Sequence, residues 1–268
     1  MNRIAVTAFS GWNDAGDAST GVISHLLEVW PSRRVGVVDS EEYIDFQVNR
    51  PVIRTDDDGR RVIDWPDTEL RLVEPPSGPQ IITVVGPEPS LRWKSYCDEL
   101  VDLLQDLGAT EMISLGALLA DVPHTRPLPV SDRRELPAGD TVPGEDLYEG
   151  PIGVPTVLVR SSASIGMRTR SLWVQVPHYV SQGPNPKATL ALIEQMQQHL
   201  ETPIPVEDLM EAAAAWERGV DELARTDQDV AAYVRRLEQA KDATDLPEAT
   251  GDAIAQQFEQ FLRRRDDR

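Results

Sequence analysis

The period of the apolar positions changes along the chain, and each change predicts an element. Residues 3–9 (RIAVTAF) are a short run of strand formers, followed by the turn-rich segment SGWNDAG. From Asp17 to Trp30 the period is helical, with Val22, Leu26 and Trp30 recurring every fourth residue behind Asp17 as a cap. Residues 34–39 (RVGVVD) predict a second buried strand, and strand–helix–strand order predicts a right-handed crossover joining a parallel pair. Between 51 and 73 alternation takes over. VIRTDDDGRRVIDW turns at DDDG and TELRLVE alternates again, which predicts an antiparallel insertion on the sheet edge.

The α/β rhythm then resumes. QIITVV (80–85) is a predicted strand, and a helix is predicted from Ser90 to Leu107, with Leu100, Leu103, Leu104 and Leu107 on one face and Gly108 ending it. EMISLG (111–116) is the next strand. Residues 120–150, rich in Pro, Asp and Gly, predict an irregular stretch of a length usually kept for function. Strands at 155–160 (PTVLVR) and 171–176 (SLWVQV) and a helix over 185–200 complete the unit.

Beyond Pro203-Ile204-Pro205 the pattern is purely helical. Leu209, Ala213, Trp216, Val220 and Leu223 are spaced 4-3-4-3; Val230, Val234 and Leu237 repeat the spacing, as do Ile254, Phe258 and Phe261. The chain therefore divides into an α/β core (1–202) and a helical extension (203–268). Each apolar stripe must be buried against another stripe, the core or a partner chain.

Composition narrows the field. The 268 residues carry 26 Lys and Arg against 45 Asp and Glu, a net charge of −19. Such a field repels phosphate backbones and anionic lipids, so neither nucleic acid nor a membrane surface is expected as a partner. The start MNRIAVTAFSGWND has too short an apolar run for a signal peptide, and no stretch reaches membrane-helix length; the expected location is cytoplasmic. One cysteine, Cys97, excludes an internal disulfide and any multi-cysteine metal site. There is no P-loop, no GxGxxG after a strand, no HExxH and no GxSxG, and the four His residues lack metal-ligand spacing. No cofactor and no metal are expected.

The polar residues that remain share one kind of position. In parallel sheets, ligands bind outside the carboxyl ends of the strands. Asp14 follows the first predicted strand, Glu42 the second, Glu88 the strand at 80–85, His124 and Arg126 the strand at 111–116, and His178 the last. If the strands are parallel these six groups line one rim, where acids, two His and an Arg suit acid–base work or a polar ligand. Each also has a bland role: Asp14 can cap the helix behind it, Glu88 can pair with Arg92, Arg126 with one of the acids, and His178 can be a satisfied buried histidine.

Several segments carry a family resemblance. FSGWNDAGDAS (9–19), EEYIDFQVNRP (41–51), GPEPSLRW (86–93), LGALLADVPHTRP (115–127) and SLWVQVPHYVSQGPNPKATLALI (171–193) resemble the proteasome assembly chaperone 2 family, as does the C-terminal WERGVDEL…YVRRLEQ…FEQFLRRR. The match is to its bacterial branch with a helical C-terminal extension. The resemblance implies a nucleoside-phosphorylase-like α/β fold with a mixed sheet, homo-oligomers such as trimers, and a role in assembling the proteasome core particle with its subunits as partners. The signature positions it points to include Gly11, Trp12, Asp14, Gly16, Arg50, Pro51, His124, Thr125, Arg126, Pro127, Pro177, His178 and Tyr179. One departure stands out. Chaperones of this kind that dock on proteasome rings often end in a hydrophobic residue, a tyrosine and one further residue, whereas this chain ends RRRDDR, so docking through such a tail is not expected.

Two functions follow. The first is a non-catalytic oligomeric scaffold or assembly factor, with the rim groups spent on internal or subunit contacts. The alternative is an enzyme or small-molecule binder using the acidic/His/Arg cleft, with phosphorylase- or hydrolase-like chemistry a fold-level analogy.

Overall fold

The computed structural model describes residues 3–56, 58–135 and 149–245. In chain order the elements are β1 (Arg3–Ser10), α1 (Ala18–Val29), β2 (Ser32–Val38), β3 (Val52–Thr55), β4 (Arg61–Asp64), β5 (Thr68–Val73), β6 (Gln80–Pro87), α2 (Trp93–Asp106), β7 (Ala109–Ala120), β8 (Val130–Glu135), α3 (Val154–Ser164), β9 (Arg168–Pro177), α4 (Pro186–Leu200), α5 (Glu207–Thr226) and α6 (Gln228–Asp245). Seven strands form one mixed sheet in the order β2-β5-β6-β1-β7-β9-β8, and β3 pairs with β4 in a separate hairpin. The strands β6, β1, β7 and β9 are mutually parallel; β5 runs against β6, and β8 against β9.

Alternation along β1 sorts the core into two layers. Ile4, Val6 and Ala8 pack with α1 and α4 on one face, while Ala5 and Phe9 pack with α2 and α3 on the other. A strand buried on both faces needs a nearly continuous apolar run, and IAVTAF, interrupted only by buried Thr7, provides one. Cys97 lies buried in α2, where burial pushes its thiol up to about 12.

The structure corrects three sequence expectations. The 34–39 strand does not pair with β1. It is β2, at the sheet edge, hydrogen-bonded to antiparallel β5. Its two arginines, Arg33 and Arg34, are exposed, in keeping with the charged side chains that blunt edge strands. The TELRLV segment is correspondingly not part of the insertion but a central strand, with Leu70 and Leu72 buried in the α2 layer.

The second correction concerns PTVLVR, which is not a strand. It lies within α3, where Val154, Pro155, Leu158, Val159, Ser162 and Ala163 are buried at helical spacing. Pro155 sits in the first turn, where a missing N–H costs nothing, and a short apolar run does not by itself distinguish strand from helix. Third, the stretch expected to be irregular contains β8. Its sequence VSDRRE is polar because it is an edge strand blunted by charge: Asp132 pairs with Arg170 and accepts from His199 at 2.8 Å. Burial pushes the Asp132 carboxyl up, but Arg170 and His199 outweigh it and hold the group below the usual carboxylate range. Residues 136–148, the stripe of Ile254, Phe258 and Phe261, and the RRRDDR end lie outside the described residues. No helix among the described residues is long and apolar enough to cross a membrane.

Candidate functional site

The carboxyl ends of β1, β6, β7 and β9 open on one side, and β2, antiparallel to β5, ends there too. The sheet thus brings the six predicted groups to a common rim. Their side chains do not meet in one cluster. They fall into three separate sets.

Asp14 and Glu88 form the first set, above β1 and β6. Buried Asp14 reaches forward to the start of α1. Its Oδ1 accepts the Ser19 N–H at 2.7 Å, the Ser19 hydroxyl at 2.6 Å and the Thr20 N–H at 3.3 Å, and its Oδ2 accepts the Thr20 hydroxyl. Asp17, expected as the cap, has no side-chain cap bond. It stands in a left-handed conformation (φ 51°), and burial, then the charge of Asp14, raises its pKa. Glu88 performs a related task for α3. Its Oε1 accepts from Asn13 Nδ2 at 2.7 Å and from the first helical N–H, Val154, at 2.8 Å. A Cβ on Gly153 would come within 2.1 Å of Asn13 Oδ1, so only glycine leaves room there. Both carboxylates hold helix N-termini onto the sheet.

Glu42 stands apart. It lies in a short 3-10 turn after β2, exposed, in an ion pair with Arg92. Arg92 therefore serves Glu42 rather than Glu88.

His124, Arg126 and His178 form the third set, above β7 and β9, and their partners come from α5, α6 and their surroundings. His124 is fully buried. Its backbone N–H donates to the Tyr179 hydroxyl at 2.8 Å, its Nδ1 lies 2.7 Å from the same oxygen, and its Nε2 lies 3.2 Å from Asp221 Oδ1 on α5. With a neutral ring the three contacts are satisfied together: the phenol accepts the N–H and donates to Nδ1, and Nε2–H donates to Asp221. Burial pushes the Tyr179 phenol up to about 12, against the lowering effect of the His124 N–H. Lys187 of α4 donates to the His124 carbonyl and pairs with Glu217 of α5 at 2.9 Å.

Further along, Thr125 donates to Glu238 of α6 at 2.6 Å. Arg126 grips Asp242 with two bonds of 2.8 Å, which lowers the Asp242 pKa. His178 Nδ1 lies 3.1 Å from Asp121, which also accepts from Tyr233 of α6 at 3.0 Å. Burial, then Asp121, raises the Tyr233 pKa. Edge-to-face ring contacts tie the set together: His178 to Tyr233 at 5.2 Å, Tyr179 to Tyr233 at 5.9 Å and His124 to Trp216 at 6.5 Å.

Sequence reasoning missed the acceptors on the extension: Glu217 and Asp221 on α5, Glu238 and Asp242 on α6, together with Lys187. A signal was present. Each acidic pair is spaced i, i+4, which stacks two carboxylates on one helix face beside the apolar stripe. Among the described residues no cluster of His, Cys, Asp and Glu could hold a metal ion.

This rim, bearing GW-x-DAG, PHTRP and VPHYV, can be set beside known proteins. The model of the PAC2 family matches residues 8–224. The chain belongs to the PAC2 family. Among solved structures, a PAC2 family protein from Streptomyces avermitilis is 43% identical, covering 87% of this chain and 100% of its own, with a TM-score of 0.77. A proteasome-assembly chaperone homologue from Mycobacterium tuberculosis is 41% identical over 86% of this chain and 99% of its own, also at 0.77. An archaeal proteasome activator from Pyrococcus furiosus is 17% identical at a TM-score of 0.65, a likeness of fold alone. No curated protein gives a significant match. The PAC2 match ends at residue 224, so α6 and its contacts to Thr125 and Arg126 lie beyond it.

Proposed function

We propose that this PAC2 protein is a proteasome-assembly-chaperone-like scaffold. It is non-catalytic, works as a homo-oligomer in the cytoplasm, and has proteasome subunits as its protein partners. Its α/β core spans 1–202 and its helical extension 203–268. The observation that carries this reading is how the rim groups are used. Asp14 and Glu88 are spent on helix N-termini, and His124, Arg126 and His178 on the extension or its neighbours. A catalytic acid, base or oxyanion donor has to face substrate. The name of a 41% identical relative, a proteasome-assembly chaperone homologue, supplies the class of partner.

Mixing the purified chain with the α- and β-type proteasome subunits of its own cell tests the reading. Native electrophoresis is expected to show the chain migrating with an assembly intermediate, and the core particle to form faster with it than without it. Unchanged assembly and no co-migration would contradict the proposal.

A further inference from the structure

The β3–β4 hairpin is the part of this molecule least explained by its own fold. It forms a two-stranded sheet of its own, between β2 and β5 in sequence. Its tip is self-sufficient: Asp56 Oδ1 accepts the Asp58 and Arg60 N–H groups, Asp56 N–H donates to the Arg60 carbonyl at 2.9 Å, and Gly59 takes the positive φ the turn requires. Its base is pinned by Phe46 against Trp65, rings 5.2 Å apart.

Between these ends the strands expose apolar side chains that such a hairpin does not need. Val48, Val52, Ile53, Ile63 and Trp65 are 47–73% exposed. They are five of the fourteen large apolar side chains exposed among the described residues, gathered in 18 consecutive positions. Ile53 and Ile63 are directly opposed across the ladder and form an apolar pair on one face, while Val52, opposite Asp64, lies on the other face beside the Arg54–Asp64 ion pair at 3.4 Å. Among the described residues no further strand pairs with either outer edge of the hairpin, and a lone two-stranded hairpin is at best marginally stable in water. Clustered exposed apolar surface marks an interaction site.

Charge selects the occupant. The whole chain carries −19, so two copies repel across most of their surface. Residues 48–65 are different: Arg50, Arg54, Arg60 and Arg61 balance Asp56, Asp57, Asp58 and Asp64, a net charge of zero. A strongly charged partner finds no complement there, whereas a second copy meets both signs and an apolar stripe like its own. We propose that the β3–β4 hairpin, with Val48 and Trp65, is the surface through which copies of this chain associate. The inference rests on the homo-oligomeric reading above and assigns it an interface.

Sedimentation velocity on the full chain at micromolar concentration tests it, comparing wild type with I53D/I63D. The wild type is expected to sediment as an oligomer. The variant should associate on the order of tenfold more weakly or worse, because a charge at the centre of an apolar contact removes its anchor. Circular dichroism should be unchanged, since both side chains are exposed. If Asp disturbs the hairpin itself, I53T/I63T keeps strand propensity and should show a smaller loss of association. A variant pair that retains the wild-type oligomer would overturn the interface while leaving the scaffold reading intact. A monomeric wild type would overturn the interface and the oligomeric part of the proposed function together.

Discussion

Two halves of one rim use similar residues for different ends. Above β1 and β6, Asp14 and Glu88 accept backbone N–H groups of α1 and α3, helices packed on opposite faces of the core sheet. Above β7 and β9, His124, Thr125 and Arg126 reach acidic side chains on α5 and α6, which follow the last strand of the sheet. The first half is sealed by backbone donors that cannot leave without unfolding the core. The second is closed by side chains of α5, which packs against α4, and of α6, which follows it. A polar rim in an α/β protein can thus be occupied by its own chain from two sources, and the position of a residue after a strand does not say which source applies.

The contrast can be broken from either side. The largest effect belongs to Asp14→Ala. It strands two N–H groups and two hydroxyls around a buried site and should cost on the order of 3 kcal/mol, lowering the Tm by roughly 10 °C in a thermal melt. The loss should be global, because α1 is a wall of the core. Next comes His124→Ala, which opens a small cavity, leaves Asp221 without its imidazole partner and takes the ring nitrogen from the Tyr179 hydroxyl, which keeps only the backbone N–H of residue 124. It should cost about 2 kcal/mol in denaturant unfolding, with the core transition shifted less than the signal of Trp216 on α5.

Arg126→Ala should be milder still. Its ion pairs are solvent-accessible, so the Tm should stay at the wild-type value while amide protection in α6 falls, an effect that shrinks as salt is added. The smallest effect is a pH dependence. Arg126 depresses the folded-state pKa of Asp242 below its ordinary 3.8. The stabilisation this gives α6 is complete above that ordinary value and is lost as pH falls through the depressed one. Amide protection of α6 measured by NMR should therefore decline below about pH 4 in the wild type, and by less in Arg126→Ala.

Much of this was legible in the chain. The two-sided apolar run of β1, the helical stripe of α1 and the seam of α5 as far as Val220 were each readable from their pattern, although Leu223 at the end of that seam is exposed, and the PHTRP and VPHYV segments pointed to the rim. What escaped was decided by tertiary context. PTVLVR has strand-forming residues yet is helical, because Gly153 and Glu88 hold its start and its other face is buried at helical spacing. β8 is hidden in a polar sequence because edge strands carry charge. The use of His124 and Arg126 was not readable from their own neighbourhood, since their partners lie 97 and 116 residues away.

Hydrogen exchange on the wild type and His124→Ala, followed peptide by peptide, tests most directly whether the β7–β9 half of the rim is a seat for the C-terminal helices. The account predicts faster exchange across residues 207–245 in the variant, with α1 and α2 unchanged. Identical exchange of α5 and α6 in the two proteins would contradict it.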